Sequence, residues 1–340
     1  MTQTHKPRIG ITLGDYNGIG PEVVLKALSD NRILNLLTPV VYGSGKVFAY
    51  YKKLSSLEEI NYSQVRNKGQ YMAKSINVIN CWGDDALEIV PGKASQESGK
   101  AALIALKQAA SELKEGLIDA LVTAPIDKST IHSEEFPFTG HTGFLTHFFE
   151  VSESLMFMIS DKLRVGLVTE HIPVREVAAA LTKEKIEAKL KVMDASLRKD
   201  FGISKPKIAV LGLNPHAGDN GLLGQEEDQV IRPVIAEQKN KGRLVYGPFP
   251  ADGFFATGSH SKYDGILAMY HDQGLVPFKT IAFGDGVNFT AGLPVIRTSP
   301  DHGTAYAIAG KNQANEGSLR EAIYQAVEIF KQRTQPSKEK

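Results

Sequence analysis

The residues best suited to chemistry gather in one stretch, residues 264–310 of a chain of 340. Two short apolar runs in it, residues 266–270 and 293–296, are predicted to be buried strands from their length and flanking glycines. Polar groups follow both runs: His271, Asp272 and Gln273 after the first, and Arg297, Thr298, Ser299, Asp301 and His302 after the second. Functional side chains are commonly held on loops at strand ends, so this stretch predicts a site.

Three of the nine histidines share a context. His171, His216 and His271 each follow an apolar run by a few residues, and such positions converge on one edge of a parallel sheet. Three imidazoles at one edge suit Zn²⁺ or a similar divalent ion with an open coordination position. None of them lies in a short ligand motif such as HExxH. Spacing alone therefore leaves a second interpretation open, in which the three histidines are hydrogen-bonded separately.

A second set of side chains is suited to an anion. Lys279, Asn288 and Arg297 supply an ammonium, an amide and a guanidinium, which together suit a carboxylate or a phosphate. A single Lys or Arg is ordinarily a solvated surface cation, but these three share one glycine-punctuated stretch. His141 and Thr142 are candidates for further donors to the same anion, with helix N-capping as the alternative role of Thr142.

Two glycine-rich turns fail to match nucleotide-binding fingerprints. The GxGxxG spacing is absent from residues 14–23, and Gly45-Lys46 is not followed by the Ser or Thr of a phosphate-binding loop. Structural turns explain both segments. Four carboxylates on apparent site loops are candidates for a base or for a group that orients a histidine, and the sequence does not choose among Asp15, Asp252, Asp272 and Asp301.

The composition is that of an ordinary globular enzyme, with 42% hydrophobic and 23% charged residues. The formal net charge of +1 argues against a broad basic face for nucleic acid. The one cysteine, Cys81, rules out an intrachain disulfide and fits a reducing compartment. The polar N-terminus and the lack of a bilayer-length apolar run predict a cytoplasmic protein with no membrane partner.

Apolar runs alternate with amphipathic segments, which predicts an α/β fold with a mixed, largely parallel sheet. Helix-spaced apolar positions predict helices over residues 98–115, 183–199, 226–241 and 318–332. Residues 155–159 and 163–168, on either side of a Ser160-Asp161 turn, predict a hairpin. The polar residues 54–68 are predicted to be an irregular surface excursion. The length suits two domains, and the chain can cross between them more than once.

Longer motifs resemble those of one enzyme family. They are GIGPE at 18–22, TAPIDK at 123–128, GHT at 140–142, LNPHAGDNGLLGQEE at 213–227, PAD at 250–252, LAMYHDQGL at 267–275 and VNFTAGLPVIRTSPDHGTA at 287–305. The family is that of the 4-hydroxythreonine-4-phosphate dehydrogenases of vitamin B6 biosynthesis. The resemblance runs from Ile9 to about Phe330, and several of the motifs are long and unusual.

The resemblance implies an NAD(P)-dependent oxidation of 4-phosphooxy-L-threonine. The β-keto acid would lose CO₂ and give 3-amino-2-oxopropyl phosphate, on the route to pyridoxal 5'-phosphate. The implied metal ligands, for Zn, Mg or Co, are His171, His216 and His271. The implied substrate contacts are His141, Thr142, Lys279, Asn288 and Arg297, and Asp272 or Lys279 is expected to assist proton transfer. The family is a homodimer with a shared active site, so the metal ligands need not come from one chain.

The family's fold resembles that of isocitrate and isopropylmalate dehydrogenases rather than a Rossmann domain, which accounts for the missing GxGxxG. The expectation is two interleaved α/β/α domains with the active site in the cleft between them. The first, on the cofactor side, comprises residues 1–125 and 300–335; the second, with metal, substrate and dimer contacts, comprises residues 126–299. A loop similar to the one near the adenosine of NAD comprises His302, Gly303, Thr304, Ala305 and Gly310, although a simple loop and helix start is an alternative.

The chain departs from the common family pattern in two places. Tyr16-Asn17 stands where many members have Pro-Ala, and Gly253 stands where many have Thr. Related paralogues are associated with threonate or erythronate phosphates, so a dehydrogenase of threonate or erythronate 4-phosphate is one alternative function. The others are a phosphate acyltransferase-like enzyme and a regulatory protein that binds a phosphate ester without turnover.

Overall fold

The computed structural model describes residues 6–83, 87–132, 136–138 and 140–335. These residues form two compact units, one comprising Met1–Glu150 with Leu293–Lys340 and the other Val151–Gly292. The chain therefore builds the first unit from both of its ends and the second unit from its middle. The domain borders after residues 125 and 299 stay a prediction.

The described residues contain 12 strands. In chain order they are β1 Arg8–Thr12, β2 Thr38–Gly43, β3 Tyr62–Gln64, β4 Ile76–Asn80, β5 Ala120–Thr123, β6 Leu155–Ile159, β7 Arg164–Leu167, β8 Lys207–Leu211, β9 Leu244–Phe249, β10 Gly265–Ala268, β11 Val287–Ala291 and β12 Arg297–Pro300. Most are buried along their whole length, as in a sheet covered by helices on its faces.

Helices alternate with these strands. They are α1 Gly20–Leu28, α2 Ile33–Leu36, α3 Gly45–Leu54, α4 Gln96–Lys114, α5 Lys128–Ile131, α6 His141–Phe148, α7 Val174–Ala180, α8 Lys183–Lys199, α9 Arg232–Asn240, α10 Ala251–Ala256, α11 His271–Ile281 and α12 Gly317–Thr334. The predicted helix over 183–199 is confirmed with the same bounds. The predicted helix over 226–241 is α9 together with a π-helical turn, Glu227–Ile231, that leads into it.

In the first unit the strand order is β3-β4-β2-β1-β5-β12, and every pair is parallel. In the second unit the order is β11-β6-β7-β10-β8-β9, in which β6 runs antiparallel to both of its neighbours and the other pairs are parallel. The β6–β7 pair is the predicted hairpin. The α/β class with a mixed, largely parallel sheet is thereby confirmed.

Two segments differ from the sequence-based prediction. Residues 293–296 are not a strand: Gly292 turns the chain at φ +92 after β11, and Pro294 has no backbone N–H to give to a ladder. The strand begins only at Arg297, so Arg297 lies within a buried strand and not behind one. The predicted irregular excursion over 54–68 was wrong in part, because it contains the edge strand β3. No helix of the described chain is both long and apolar enough to cross a bilayer.

Candidate active site

The three predicted metal ligands follow three neighbouring parallel strands of the second unit. His171 comes after β7, His271 after β10 and His216 after β8, and these strands lie side by side in the order β7-β10-β8. The carboxyl ends of parallel strands meet at one edge of a sheet, which is where open α/β sheets bind ligands. The topology therefore brings the three histidine loops to one edge.

The three rings are not equivalent in position. The His171 and His271 ring centroids are 5.9 Å apart, and His271 Nδ1 lies 2.7 Å from the Asp272 carboxylate. Within the described ranges of this single chain, no three His, Cys, Asp or Glu side chains are gathered closely enough to hold a metal ion. His216 instead lines a cavity of about 740 Å³, together with Asp272 and the apolar side chains of Phe255, Val276 and Ile281.

A polar frame joins the loops that carry these histidines. Thr169 donates its hydroxyl and its backbone N–H to Met269 O, at 2.8 and 3.1 Å. The buried Gln273 accepts from Met269 N at 2.7 Å and donates from Nε2 to Gly212 O at 2.5 Å. The segments that precede the three histidines are thus fixed to one another, which limits the freedom of any ligand they carry.

The loop that carries His216 has an unusual backbone. Residues 216–220 all have positive φ, between 42° and 83°, so they form a left-handed turn. A left-handed helical conformation costs a residue with a side chain roughly 1–2 kcal/mol, and only Gly218 escapes that cost. Such a turn persists only where surrounding contacts over-determine it.

A buried cation, Arg297, lies in the first unit and is a candidate for binding an anion. Arg297 is 2% exposed, and its Nε and Nη2 donate to Thr123 Oγ1 at 3.2 and 2.6 Å. Burial lowers the pKa of Arg297 to about 9, because a charge removed from water is disfavoured. An anion bound beside this guanidinium would recover part of that cost, so the position suits a phosphate or carboxylate of a ligand.

His141 belongs to the same environment. Burial lowers the pKa of His141 well below its usual value, with further lowering by the charges of Arg297 and Lys128. Its Nε2 atom is buried and has no hydrogen-bond partner among the described residues. Gly140, and not Thr142, is the N-cap of α6, so the capping role considered for Thr142 is wrong. Both predicted donors thus begin a helix close to a buried cation.

This environment predicts a pH-dependent stability. The unfolded chain takes up a proton on His141 as the pH falls below about 6.5, while the folded chain does not. The free energy of unfolding therefore decreases as the pH falls below that value. The loss per pH unit approaches about 1.4 kcal/mol between the two pKa values. We expect His141→Gln to remove this contribution, so that urea unfolding at pH 7.5 and 5.5 shows a smaller difference for the variant. Equal pH dependence of the two proteins would contradict the lowered pKa.

The other predicted substrate contacts lie in the second unit. Asn288 is in β11, and its Oδ1 atom is buried with no hydrogen-bond partner in the part of the chain that the structure describes. Lys279 is on α11 with an exposed side chain, as is Asp272 at the start of that helix. The buried amide oxygen of Asn288 can accept a donor from a ligand, such as an ammonium or hydroxyl group.

The predicted cofactor loop follows β12. Its residues are His302, Gly303, Thr304, Ala305 and Gly310. Thr304 O accepts from Ile19 N at 2.9 Å, and a Cβ on Gly310, at φ +74, would lie 2.5 Å from the Pro91 ring. The loop is therefore packed tightly on the glycine-rich turn after β1, while a Cβ on Gly303 would meet open space.

Sequence reasoning missed several residues of this part. Tyr306 donates to the buried Asp15 at 2.8 Å, and Ser98 donates to the same carboxylate at 2.9 Å. Burial raises the pKa of Asp15, against the effect of these donors. A cavity of about 600 Å³ lies in the same unit, lined by Tyr16, Asn17 and Trp82. Trp82 Nε1 is buried and has no hydrogen-bond partner within the described ranges. The departure from the family pattern at residues 16–17, which bears on the substrate, is the one sequence signal in this region and did not predict a cavity.

Comparisons with known proteins give a consistent result. Residues 35–326 match the family model of the pyridoxal phosphate biosynthetic protein PdxA. The chain is 53% identical over 332 residues to the 4-hydroxythreonine-4-phosphate dehydrogenase of Bacteroides thetaiotaomicron, covering 97% of this chain and 91% of that protein. It is 41% identical over 320 residues to the protein of that name from a Sulfurihydrogenibium species, covering 94% and 97%. Its fold is similar to the crystal structure of 4-hydroxythreonine-4-phosphate dehydrogenase from Klebsiella pneumoniae, with a TM-score of 0.84, 35% identity, and coverage of 97% and 99%.

Proposed function

Because the chain belongs to the family of the pyridoxal phosphate biosynthetic protein PdxA, we propose that it is a 4-hydroxythreonine-4-phosphate dehydrogenase. It oxidises 4-phosphooxy-L-threonine to a β-keto acid, which loses CO₂ to give 3-amino-2-oxopropyl phosphate for pyridoxal 5'-phosphate biosynthesis. The family and the oxidoreductase class predicted from the sequence are confirmed. A threonate or erythronate 4-phosphate dehydrogenase and an acyltransferase-like enzyme are not favoured, since relatives at 53% and 41% identity carry the one name.

The observation that carries the proposal is the histidine edge of the second unit. Three imidazoles that follow β7, β10 and β8 form a donor set that suits a divalent ion, so His171, His216 and His271 would hold Zn, Mg or Co. Such an ion acidifies a bound hydroxyl and stabilises charge that develops on oxygen. Because the described residues of one chain do not gather the three rings closely enough to hold an ion, we propose a homodimer in which a second copy completes the site.

The residues of the chain then have separable tasks. Asp272 accepts from His271 Nδ1, which leaves the lone pair on Nε2 for a ligand role. Arg297 and Lys279 neutralise the anionic groups of the substrate, and Thr142 adds a hydroxyl donor. His141, which is neutral, offers its buried Nε2, and Asn288 accepts from the substrate through Oδ1. Asp272 or Lys279 assists proton transfer, and both side chains are exposed on α11.

The nicotinamide cofactor, NAD or NADP, supplies the hydride acceptor. Its binding is proposed for His302, Gly303, Thr304, Ala305 and Gly310, supported by the open space beside Gly303 and by the cavity of about 600 Å³ in the same unit. A cytoplasmic location is proposed from the family's metabolic role. It is supported by Cys81, the single cysteine of the sequence, since a chain without an intrachain disulfide fits a reducing compartment.

A side-by-side assay tests the function. We expect NADH or NADPH formation with 4-phosphooxy-L-threonine and at least about a tenfold lower kcat/KM with threonate 4-phosphate, because that substrate lacks the amino group. Both cofactors are tried with both substrates on the purified, metal-loaded protein. A higher kcat/KM with threonate 4-phosphate would make that compound the substrate instead of 4-phosphooxy-L-threonine. No nicotinamide absorbance change with either compound would overturn the dehydrogenase function.

A further inference from the structure

The left-handed turn over residues 216–220 requires an external support. Four of its five residues carry side chains and still have positive φ, so the local sequence does not by itself favour this conformation. Asp219 and Asn220 tolerate it better than His216 and Ala217, which lie at its beginning. The orientation of the His216 imidazole depends on this backbone, because the turn sets the direction of its Cα–Cβ bond.

Glu227 supplies that support. It is 1% exposed, and its Oε1 accepts from the backbone N–H groups of Leu213 and Asn214, at 2.7 and 2.8 Å. Its Oε2 accepts from Asn214 Nδ2 at 2.9 Å. A Cβ on Gly218 would lie 2.7 Å from Oε2, so the carboxylate also packs directly against the middle of the turn.

We propose that Glu227 is a positioning residue that fixes the His216 loop in its metal-binding conformation, an inference that rests on the proposed function. The carboxylate acts through backbone and amide hydrogen bonds and does not touch the metal or the substrate. Its position at the start of the π-helical turn before α9 anchors the loop to a helix of the second unit. A ligand held by a supported loop loses less freedom when it binds the ion than one on a free loop.

The chemistry requires a carboxylate at residue 227 and not merely a polar side chain. All three of its partners are N–H donors, and a carboxylate offers two acceptor oxygens to them. A glutamine would keep one oxygen for the two backbone donors but would turn an NH₂ group towards Asn214 Nδ2. Two donors would then face each other, and the buried contact would open.

Glu227→Gln tests the proposal, with Asp228→Asn as the matched control. Asp228 is the neighbouring acid on the same turn, but it is exposed and pairs with Arg232 at 2.8 Å. Zinc affinity is measured by competition with a chromophoric chelator on the full-length protein, well below the unfolding temperature of each variant. We expect Glu227→Gln to bind Zn²⁺ about 10- to 100-fold more weakly and Asp228→Asn to bind it as the wild type does.

The possible outcomes separate the inference from its premise. Equal zinc affinity of wild type and Glu227→Gln, with or without a lower Tm, would overturn the positioning role and leave the proposed function intact. Absence of zinc binding by the wild type would overturn the zinc site and the positioning role together, while the nicotinamide assay decides separately on the dehydrogenase function. If Glu227→Gln does not fold, Glu227→Asp withdraws the carboxylate by one methylene from the backbone N–H groups of Leu213 and Asn214, and a zinc affinity equal to that of the wild type would then overturn the role. In folded variants, kcat should fall while KM for the nicotinamide cofactor stays constant.

Discussion

Replacing His271 with alanine should remove the bound metal and lower kcat about 10³-fold, since a Lewis acid at the reacting oxygen contributes several kcal/mol. His271 follows the central strand of the β7-β10-β8 edge, and its ring centroid lies 5.9 Å from that of His171. His216→Ala is expected to behave in the same way. Metal content by mass spectrometry and NADH formation are measured on the same preparation.

The control for this experiment is His132→Ala, which removes an exposed histidine that ends α5 in the first unit. That variant should keep both its metal and its turnover. Full activity of His271→Ala in a preparation shown to be free of metal would eliminate the metal role of this histidine. Retained metal with lost activity would instead move His271 from the ligand set to the substrate contacts.

Replacing Arg297 with alanine should raise KM for the phosphorylated substrate about 100-fold, because breaking a buried, charged contact costs roughly 2–5 kcal/mol. The cofactor KM should stay within about twofold, since the change affects one ligand only. Steady-state kinetics with each substrate varied in turn give both values. An unchanged KM for the phosphorylated substrate would remove Arg297 from the site.

A control substitution at a second arginine, Arg8, separates the effect of Arg297→Ala on folding from its effect on substrate binding. Arg8 lies at the start of β1 in the same unit, where it pairs with Asp119 at 3.0 Å. Arg8→Ala should lower Tm with no change in either KM. A large Tm decrease in Arg297→Ala accompanied by an unchanged substrate KM would show that the buried guanidinium serves the sheet and not the ligand.

Much of the fold follows from local patterns in the sequence. The helix-spaced stripe over 183–199 and the two apolar runs around Ser160 predict α8 and the β6–β7 hairpin directly. The position of the three histidines behind apolar runs likewise predicts their common edge, because parallel strands point the same way. These features depend on residues that are close together in the sequence, so a single sequence is enough to predict them.

Other features depend on partners far away in the chain. Arg297 donates to Thr123 across 174 residues, and Glu227 supports a turn whose backbone no local rule favours. The segment 293–296 has the composition of a strand, yet Gly292 and Pro294 place the ladder after it. Tertiary contacts decided the first two cases, and in the third a local turn and a proline shifted the strand; hydrophobic periodicity carries no information about any of them.

The pairing of β12 with β5 has a consequence for co-translational folding. The strand that covers the edge of β5 is encoded 174 residues after Thr123, so a ribosome working at roughly 5–20 residues per second delivers it roughly 10 to 35 s later. During that interval the nascent chain exposes the apolar edge of β5, and an exposed edge strand can pair with a strand of another chain. Residues 151–292 are synthesised before that edge is covered. The second unit can therefore fold before the C-terminal segment that completes the first unit has been made.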